Sequence, residues 1–269
     1  MKLGIDTALF GDLSLTKALE HLAGLGWRDV QLSAGHVGAG GESRDAVTAA
    51  RRACARLGVT VWQVHSDADL GDGAEHVAAN TRWVDCAKAL GAPCVITHAN
   101  GDADYNDEPQ RRRCLDLNRA CLAEVAAYAD PLGVRVVLEN RLERPWATCR
   151  RFGARMSDLL DLIDAAGRDN VGLCLDTSHT RVSRLSFADE IAACGAKLLA
   201  TQISDSDGDR QHELPFALDI DFGGVVSALK RIGYTGLLAL DCSARGAPVA
   251  AVDARLASVR DRFAALLEE

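Results

Sequence analysis

An eight-stranded parallel barrel, a single (β/α)8 TIM barrel, is the fold the sequence predicts, and three observations predict it. Short β-type runs recur eight times, each is followed by a segment of helical period, and the runs are nearly continuous in apolar residues. Continuous rather than alternating hydrophobicity marks strands covered on both faces, the condition of a parallel sheet wrapped by helices. In chain order the strands are expected at "KLGID" (2–6), "DVQLS" (29–33), "VTVWQVH" (59–65), "PCVITHA" (93–99), "VRVVLEN" (134–140), "NVGLCLD" (170–176), "KLLATQIS" (197–204) and "GLLALDC" (236–242). Between them lie Ala/Leu/Arg-rich stretches such as "SLTKALEHLAGLG", "RDAVTAARRACARLG" and "HVAANTRWVDCAKALG", whose apolar residues return on one helical face. Several end at Gly, the usual C-terminal stop of a helix.

A doubly wound sheet would usually carry a Gly-rich phosphate turn after its first strand, and "DTALFGDLS" has none. The Gly-rich "GHVGAGGES" (35–43) matches neither nucleotide fingerprint and reads as a flexible rim loop. No linker or low-complexity tract divides the chain, so residues 1–269 are expected to form one domain. The longer loops, 99–109, 140–153 and 204–220, all follow strands, which in a barrel puts them on the face where active sites are built.

Composition narrows the class. The 269 residues are 48% hydrophobic and 25% charged, with a formal net charge of -8 and a pI of about 5.4. An acidic balance works against DNA phosphates and anionic membrane as partners. No apolar run approaches the ~20 residues of a membrane helix, and "MKLGIDTALFGDLSL" is too interrupted for a signal peptide. The nine cysteines are scattered, odd in number and never spaced as C-x-x-C. They read as buried free thiols, and the protein as cytoplasmic.

At the expected C-terminal strand ends stand Asp6, His65, His98, Glu139, Asp176, Gln202 and Asp241, with His179 just past the sixth strand. Singly, each has a plain structural explanation: a hydrogen-bonded strand-end His, or Asp176 capping the helix that follows "LDTSH". Together, four carboxylates around one barrel mouth would repel unless something positive sits among them, and a divalent cation is the economical answer.

"VVLEN" with Glu139, "VGLCLDTSH" with Asp176 and His179, and "QISDSDGDRQH" resemble the xylose-isomerase-like superfamily of barrels over essentially the whole chain. That superfamily holds sugar isomerases and epimerases, inosose dehydratases and apurinic endonucleases. The resemblance implies one metal held by Glu139, Asp176 and the residues at the ends of strands seven and eight. There the chain departs from the family pattern, with Gln202 in place of His and Asp241 in place of Glu. Gln202 offers an amide oxygen, and Asp241 is an anionic oxygen ligand shorter by roughly 1.5 Å of reach. An all-oxygen set favours Mn²⁺ or Mg²⁺.

By the same resemblance the substrate is a carbohydrate, a ketose or keto-sugar, handled by proton abstraction next to a carbonyl through an enediolate. Glu139 and Asp241 would serve as acid and base. His179 looks like the family's substrate-contacting His, and His65, His98 and Arg210 are placed to bond hydroxyls. Phe10, Trp62 and Trp146 are candidates for an apolar wall against a sugar face. A lyase of the inosose-dehydratase or C-glycoside-cleaving kind would use the same deprotonation, and a non-catalytic sugar-binding barrel is the third reading. The endonuclease reading lacks support: "DRQH" puts Arg210, not Asp, two residues before His212, and the chain has no basic groove signal. Barrels of this family commonly pair, so a homo-oligomer is open.

Overall fold

Each apolar run becomes a strand, and every strand pairs in parallel with its sequence neighbours until the eighth returns to the first. The strands are β1 (Lys2–Asp6), β2 (Asp29–Ser33), β3 (Thr60–Asp69), β4 (Cys94–His98), β5 (Arg135–Glu139), β6 (Val171–Asp176), β7 (Leu198–Ile203) and β8 (Leu237–Leu240). Outside them lie α1 (Leu15–Gly24), α2 (Ala34–Val37), α3 (Arg44–Leu57), α4 (Ala74–Leu90), α5 (Glu108–Ala129), α6 (Met156–Ala166), α7 (Thr177–Val182), α8 (Phe187–Cys194), α9 (Phe222–Arg231) and α10 (Val249–Glu268). This computed structural model describes residues 1–38, 44–101, 103–144 and 147–268. The expected (β/α)8 barrel is therefore the fold.

The helices start and stop for local reasons. Asp107 caps α5 by accepting from the Gln110 amide at 3.0 Å, with a proline in its first turn. Asp221 caps α9 through the Gly224 amide at 3.1 Å. Gly91 and Gly167 end α4 and α6 at positive φ, 75° and 61°. Two elements differ from expectation. β3 runs to Asp69 because its register against β4 shifts after His65, so that Asp69 pairs with His98. The segment expected as a rim loop (35–43) starts within a short helix, Ala34–Val37; residues 39–43 lie outside the described residues.

Strand side chains alternate in and out, and here the two faces differ in chemistry. One set packs with the helices in a large apolar layer that includes Trp83, Phe152, Phe222 and Phe263. The other set is small: Cys94, Ile96, Val137, Cys174 and Ala200 from β4 to β7 form a separate cluster on the barrel's inner face. Eight cysteines are buried, Cys149 is exposed, and all nine are free thiols. No helix among the described residues is long and apolar enough to cross a membrane.

Two features of the scaffold have effects on stability that can be measured. A Cβ on Gly4 would lie 2.5 Å from the backbone oxygen of Asp29, so β1 and β2 meet at this distance only because the residue is Gly. Gly4→Ala should therefore lower the unfolding free energy by ~1–3 kcal/mol, read from the urea midpoint. In the first turn of α6, Asp158 accepts from Arg150 and from the Gly153 amide, while Arg150 lies over the Tyr105 ring at 4.7 Å. Burial outweighs these partners and holds the Asp158 carboxyl up at about 6 against its ordinary 3.8. The folded protein thus keeps this proton where the unfolded chain has lost it, so stability from this group is full below pH ~4 and lost as pH rises through ~6. Between those limits the wild type should lose more stability than Asp158→Asn, as measured by thermal melts at stepped pH.

Candidate active site

The inner apolar cluster is the floor on which the polar residues stand. Two residues further along each strand, Ile96 is succeeded by His98, Val137 by Glu139, Cys174 by Asp176 and Ala200 by Gln202. The period of two sends these side chains to the same inner face one layer nearer the C-terminal mouth. There a cavity of about 650 Å³ is lined by His65, His98, Glu139, His179, Gln202, His212 and Asp241. Its rim is made by Ala8, Leu9, Gly11 and Asp12 on one side and by residues 242–246 on another.

Glu139, 1% exposed, is the most heavily contacted of these residues. His65 Nε2 lies 2.9 Å from Oε2, and His98 Nε2 and His179 Nδ1 lie 3.4 and 3.3 Å from Oε1. Burial would raise its pKa, yet the three imidazoles hold it well below the carboxylate range. In return, although burial pulls the other way, the bond to Glu139 lifts His65 to about 9. The Gln202 amide is oriented by its surroundings: with nitrogen toward Glu139 it donates to Oε1 and Oε2 at 2.9 and 2.8 Å, and its oxygen accepts from Gln31 Nε2 at 3.0 Å. The opposite orientation would set amide oxygen against carboxylate oxygen. Gln31 also donates to Asp6 and accepts from Gln63 Nε2 at 2.6 Å, so an amide ladder spans the barrel from Asp6 to Glu139.

The second half of the site is built around Asp176. Its Oδ1 caps α7 by accepting from the His179 amide at 2.7 Å, while its Oδ2, fully buried, has no hydrogen-bond partner. Asn140 fixes the strand end: its Oδ1 accepts from the Asp176 amide at 2.7 Å, and its backbone oxygen accepts from His179 Nδ1 at 2.8 Å. His212 arrives from the loop after β7. Its amide donates to Ser178 Oγ at 3.2 Å, its carbonyl accepts from the Ser243 amide at 2.8 Å, and its Nδ1 lies 3.2 Å from both the backbone oxygen and Oδ2 of Asp241. Against the effect of burial, Asp241 and Asp176 raise His212 to about 10. The loop itself is folded on Asp205, whose carboxylate accepts from the amides of Ser206, Leu218 and Ile220 at 2.8, 2.8 and 3.0 Å and whose backbone pairs with Glu213.

Of the residues expected at the site, His65, His98, Glu139, His179, Gln202 and Asp241 line one cavity, with Asp176 buried behind them. Two expectations are corrected. Phe10 is not a wall of this cavity: it is buried in the core with its ring edge-on to His21, because the turn after β1 points it inward. Arg210 pairs with Asp207 at 2.8 Å on the exposed loop tip and does not reach the lining. Gln202 does reach the lining, where its amide lies between Glu139 and Gln31. Trp62 bonds Asp29 at the opposite end of the barrel, 2.6 Å from its carboxylate, and Trp146 lies outside the described residues. Strand-end reasoning missed His212 and Asn140 as parts of the site. His212 sits nine residues beyond β7, and only its place in the "DRQH" run hinted at it.

Two groups of ligand-type side chains thus gather at the mouth: His65, His98 and Glu139 on the cavity lining, and Asp176, His179 and His212, of which Asp176 is buried behind the lining, with potential ligand atoms of each group within 4.8 Å of one another. The buried, unpartnered Asp176 Oδ2 beside two imidazoles is the arrangement a divalent cation fits, since an unpaired buried carboxylate oxygen is otherwise costly.

A barrel whose strand ends gather carboxylates and imidazoles at one mouth defines a class of protein, and the comparisons place this chain within it. The profile of the xylose isomerase-like TIM barrel family matches residues 19–262, and the chain belongs to that family. It is 28% identical over 166 residues to an inosose isomerase of Halalkalibacterium halodurans, covering 59% of this chain and 56% of that protein. An inosose isomerase of Bacillus subtilis is 28% identical over 45% of this chain and 44% of its own. The matches to these curated relatives thus span about half of their length. Among solved structures, a D-tagatose 3-epimerase-like protein superposes with a TM-score of 0.81 at 20% identity, covering 100% of this chain and 97% of that one. At such identity the likeness is one of fold.

Because three backbone amides depend on it, Asp205→Ala should cost ~1.5–3 kcal/mol of stability and release the loop that carries His212. Urea unfolding checks the first effect. Faster amide exchange at Leu218 and Ile220 checks the second.

Proposed function

We propose that the protein is an isomerase or epimerase of a free keto-sugar or keto-cyclitol, working by removal of the proton on the carbon next to the carbonyl. The observation that carries this reading is Glu139: a carboxylate kept ionised by three imidazoles, at the bottom of a cavity sized for a small polyol, with Asp241 also on the lining. The names of the relatives, inosose isomerase among the sequences and ketose 3-epimerase among the folds, support the substrate class.

Glu139 is the proton acceptor in this scheme. Its low pKa makes it a weak base in the resting protein, and substrate hydroxyls that draw His98 and His65 away would raise its basicity. Asp241, on the cavity lining, is the group that returns a proton, drawn from solvent through the open mouth. His98 and His65, partly exposed at the cavity floor, are placed to donate to substrate oxygens. A divalent cation bound at the Asp176 side would act as a Lewis acid toward adjacent substrate oxygens, worth several kcal/mol of charge stabilisation. The enediolate formed by deprotonation gives the epimer when the same carbon is reprotonated from the opposite face, and the shifted carbonyl when the neighbouring carbon is reprotonated.

Incubation with inososes and ketoses in D₂O, followed by NMR, is the test. Deuterium should enter at the carbon beside the carbonyl, and Glu139→Gln should slow that entry ~10²–10⁴-fold. Failure of every keto-polyol to exchange, with protein shown folded and supplied with Mn²⁺, would overturn the reading. Loss of water from the product would redirect it to a lyase.

A further inference from the structure

Resting on the proposed cation-assisted function, we infer that the cation sits on Asp176, His179 and His212, with Asp241 holding His212 in place instead of binding the ion. The argument is one of which atoms are already committed. Asp176 spends Oδ1 on the His179 amide and leaves Oδ2 buried with no partner. His179 bonds a backbone carbonyl through Nδ1, which leaves Nε2 as the ring nitrogen that a cation would take by displacing its proton. His212 does the same through Nδ1 onto the Asp241 carbonyl and carboxylate. Each of the three residues therefore has one atom fixed by the fold and one ligand atom left over. The two rings stand at 90° with centroids 5.3 Å apart, and a ligand atom from each residue falls within the same 4.8 Å.

In the other ligand-type group the carboxylate is more fully engaged. Glu139 Oε2 is bonded by His65 at 2.9 Å, and with the Gln202 nitrogen turned toward it the carboxylate gains an amide donor on both oxygens. Gln202 at the end of β7 thus lies against Glu139, and the second imidazole on the Asp176 side comes from the loop after β7. His212 is built into place for it. It holds a left-handed φ of 55°, an uncommon conformation for a side chain other than Gly, and both its backbone groups are bonded to neighbouring elements. The short reach of Asp241 has the matching explanation: it meets His212 Nδ1 in the carboxylate–histidine–metal relay that orients an imidazole ligand. A set of two imidazoles and one carboxylate selects Mn²⁺, Co²⁺ or Zn²⁺ over Mg²⁺.

The experiment is titration of the full-length, chelator-treated protein with Mn²⁺, followed by continuous-wave EPR for affinity and pulsed EPR for nitrogen modulation from bound imidazole. The wild type should bind one Mn²⁺ with nitrogen modulation. His212→Gln should weaken binding by 100-fold or more and reduce that modulation. Asp241→Asn, which keeps the ligand set, should weaken binding ~10–100-fold and retain it. His65→Gln should bind Mn²⁺ within a few-fold of wild type. Circular dichroism melts establish that each variant is folded, and the Asp241→Asn result stands on its own should His212→Gln not fold. Unchanged binding in His212→Gln, or loss of binding in His65→Gln, would put the ion on the Glu139 side and overturn this inference while leaving the proposed function intact. Absence of Mn²⁺, Co²⁺ and Zn²⁺ binding by the wild type would overturn the seat altogether, and the D₂O exchange would then decide the function separately.

Discussion

The interaction on which the rest of this structure depends is the compensation of Glu139. An ionised carboxylate taken out of water costs several kcal/mol unless donors surround it. Here it is ringed by three imidazoles and an amide, each delivered by a different segment: β3, β4, α7 and β7. Remove the compensation and the charge would have to be protonated or the barrel mouth would have to open. The polar layer of the barrel is therefore a single electrostatic unit rather than a set of independent strand ends.

That unit has two halves of different character. On the Glu139 side the partners come from strands, and the contacts are closed among themselves through the ladder of Gln31, Gln63 and Gln202. On the Asp176 side the partners come from a short helix and a loop, and one buried oxygen is left over. Rigid, self-satisfied groups suit proton transfer at a fixed point, whereas groups with spare lone pairs suit the holding of an ion. The two halves meet at His179, whose ring nitrogen is near both carboxylates.

The strands and their inward ends were legible because a closed parallel sheet imposes two simple rules, continuous apolar runs and a side-chain period of two. Strand limits read from the sequence lie within two residues of those observed, except for β3. There the register slip after His65 depends on pairing with β4, which no local pattern encodes. The strand-end residues were legible for the same reason. What was not legible arises from loops. His212 is placed by Asp205, whose three amide contacts lie up to fifteen residues away, and the turn that buries Phe10 depends on Asp6 accepting from the Ala8 amide at 2.6 Å. The destination of the Gln202 amide was illegible on other grounds: residue type says what it can bond, and only the neighbours decide which end faces which.

The closure of the barrel has a consequence for the order of assembly. β1 hydrogen-bonds β8, with Lys2 opposite Leu237 and Ile5 opposite Leu240, so the first strand of the chain must wait for the last. Asp6 ends β1 and Asp241 follows directly on β8 at that seam, and they are close enough that, with burial, Asp241 helps to raise Asp6 to about 6. Contacts of such sequence separation form late, since the entropy of closing a long loop opposes them until the rest of the sheet is present. An open seven-stranded sheet would hold most of the Glu139 cluster but lack Asp241, and with it the partner that orients His212. The chemistry of this mouth is thus acquired in a single step, when the seam shuts.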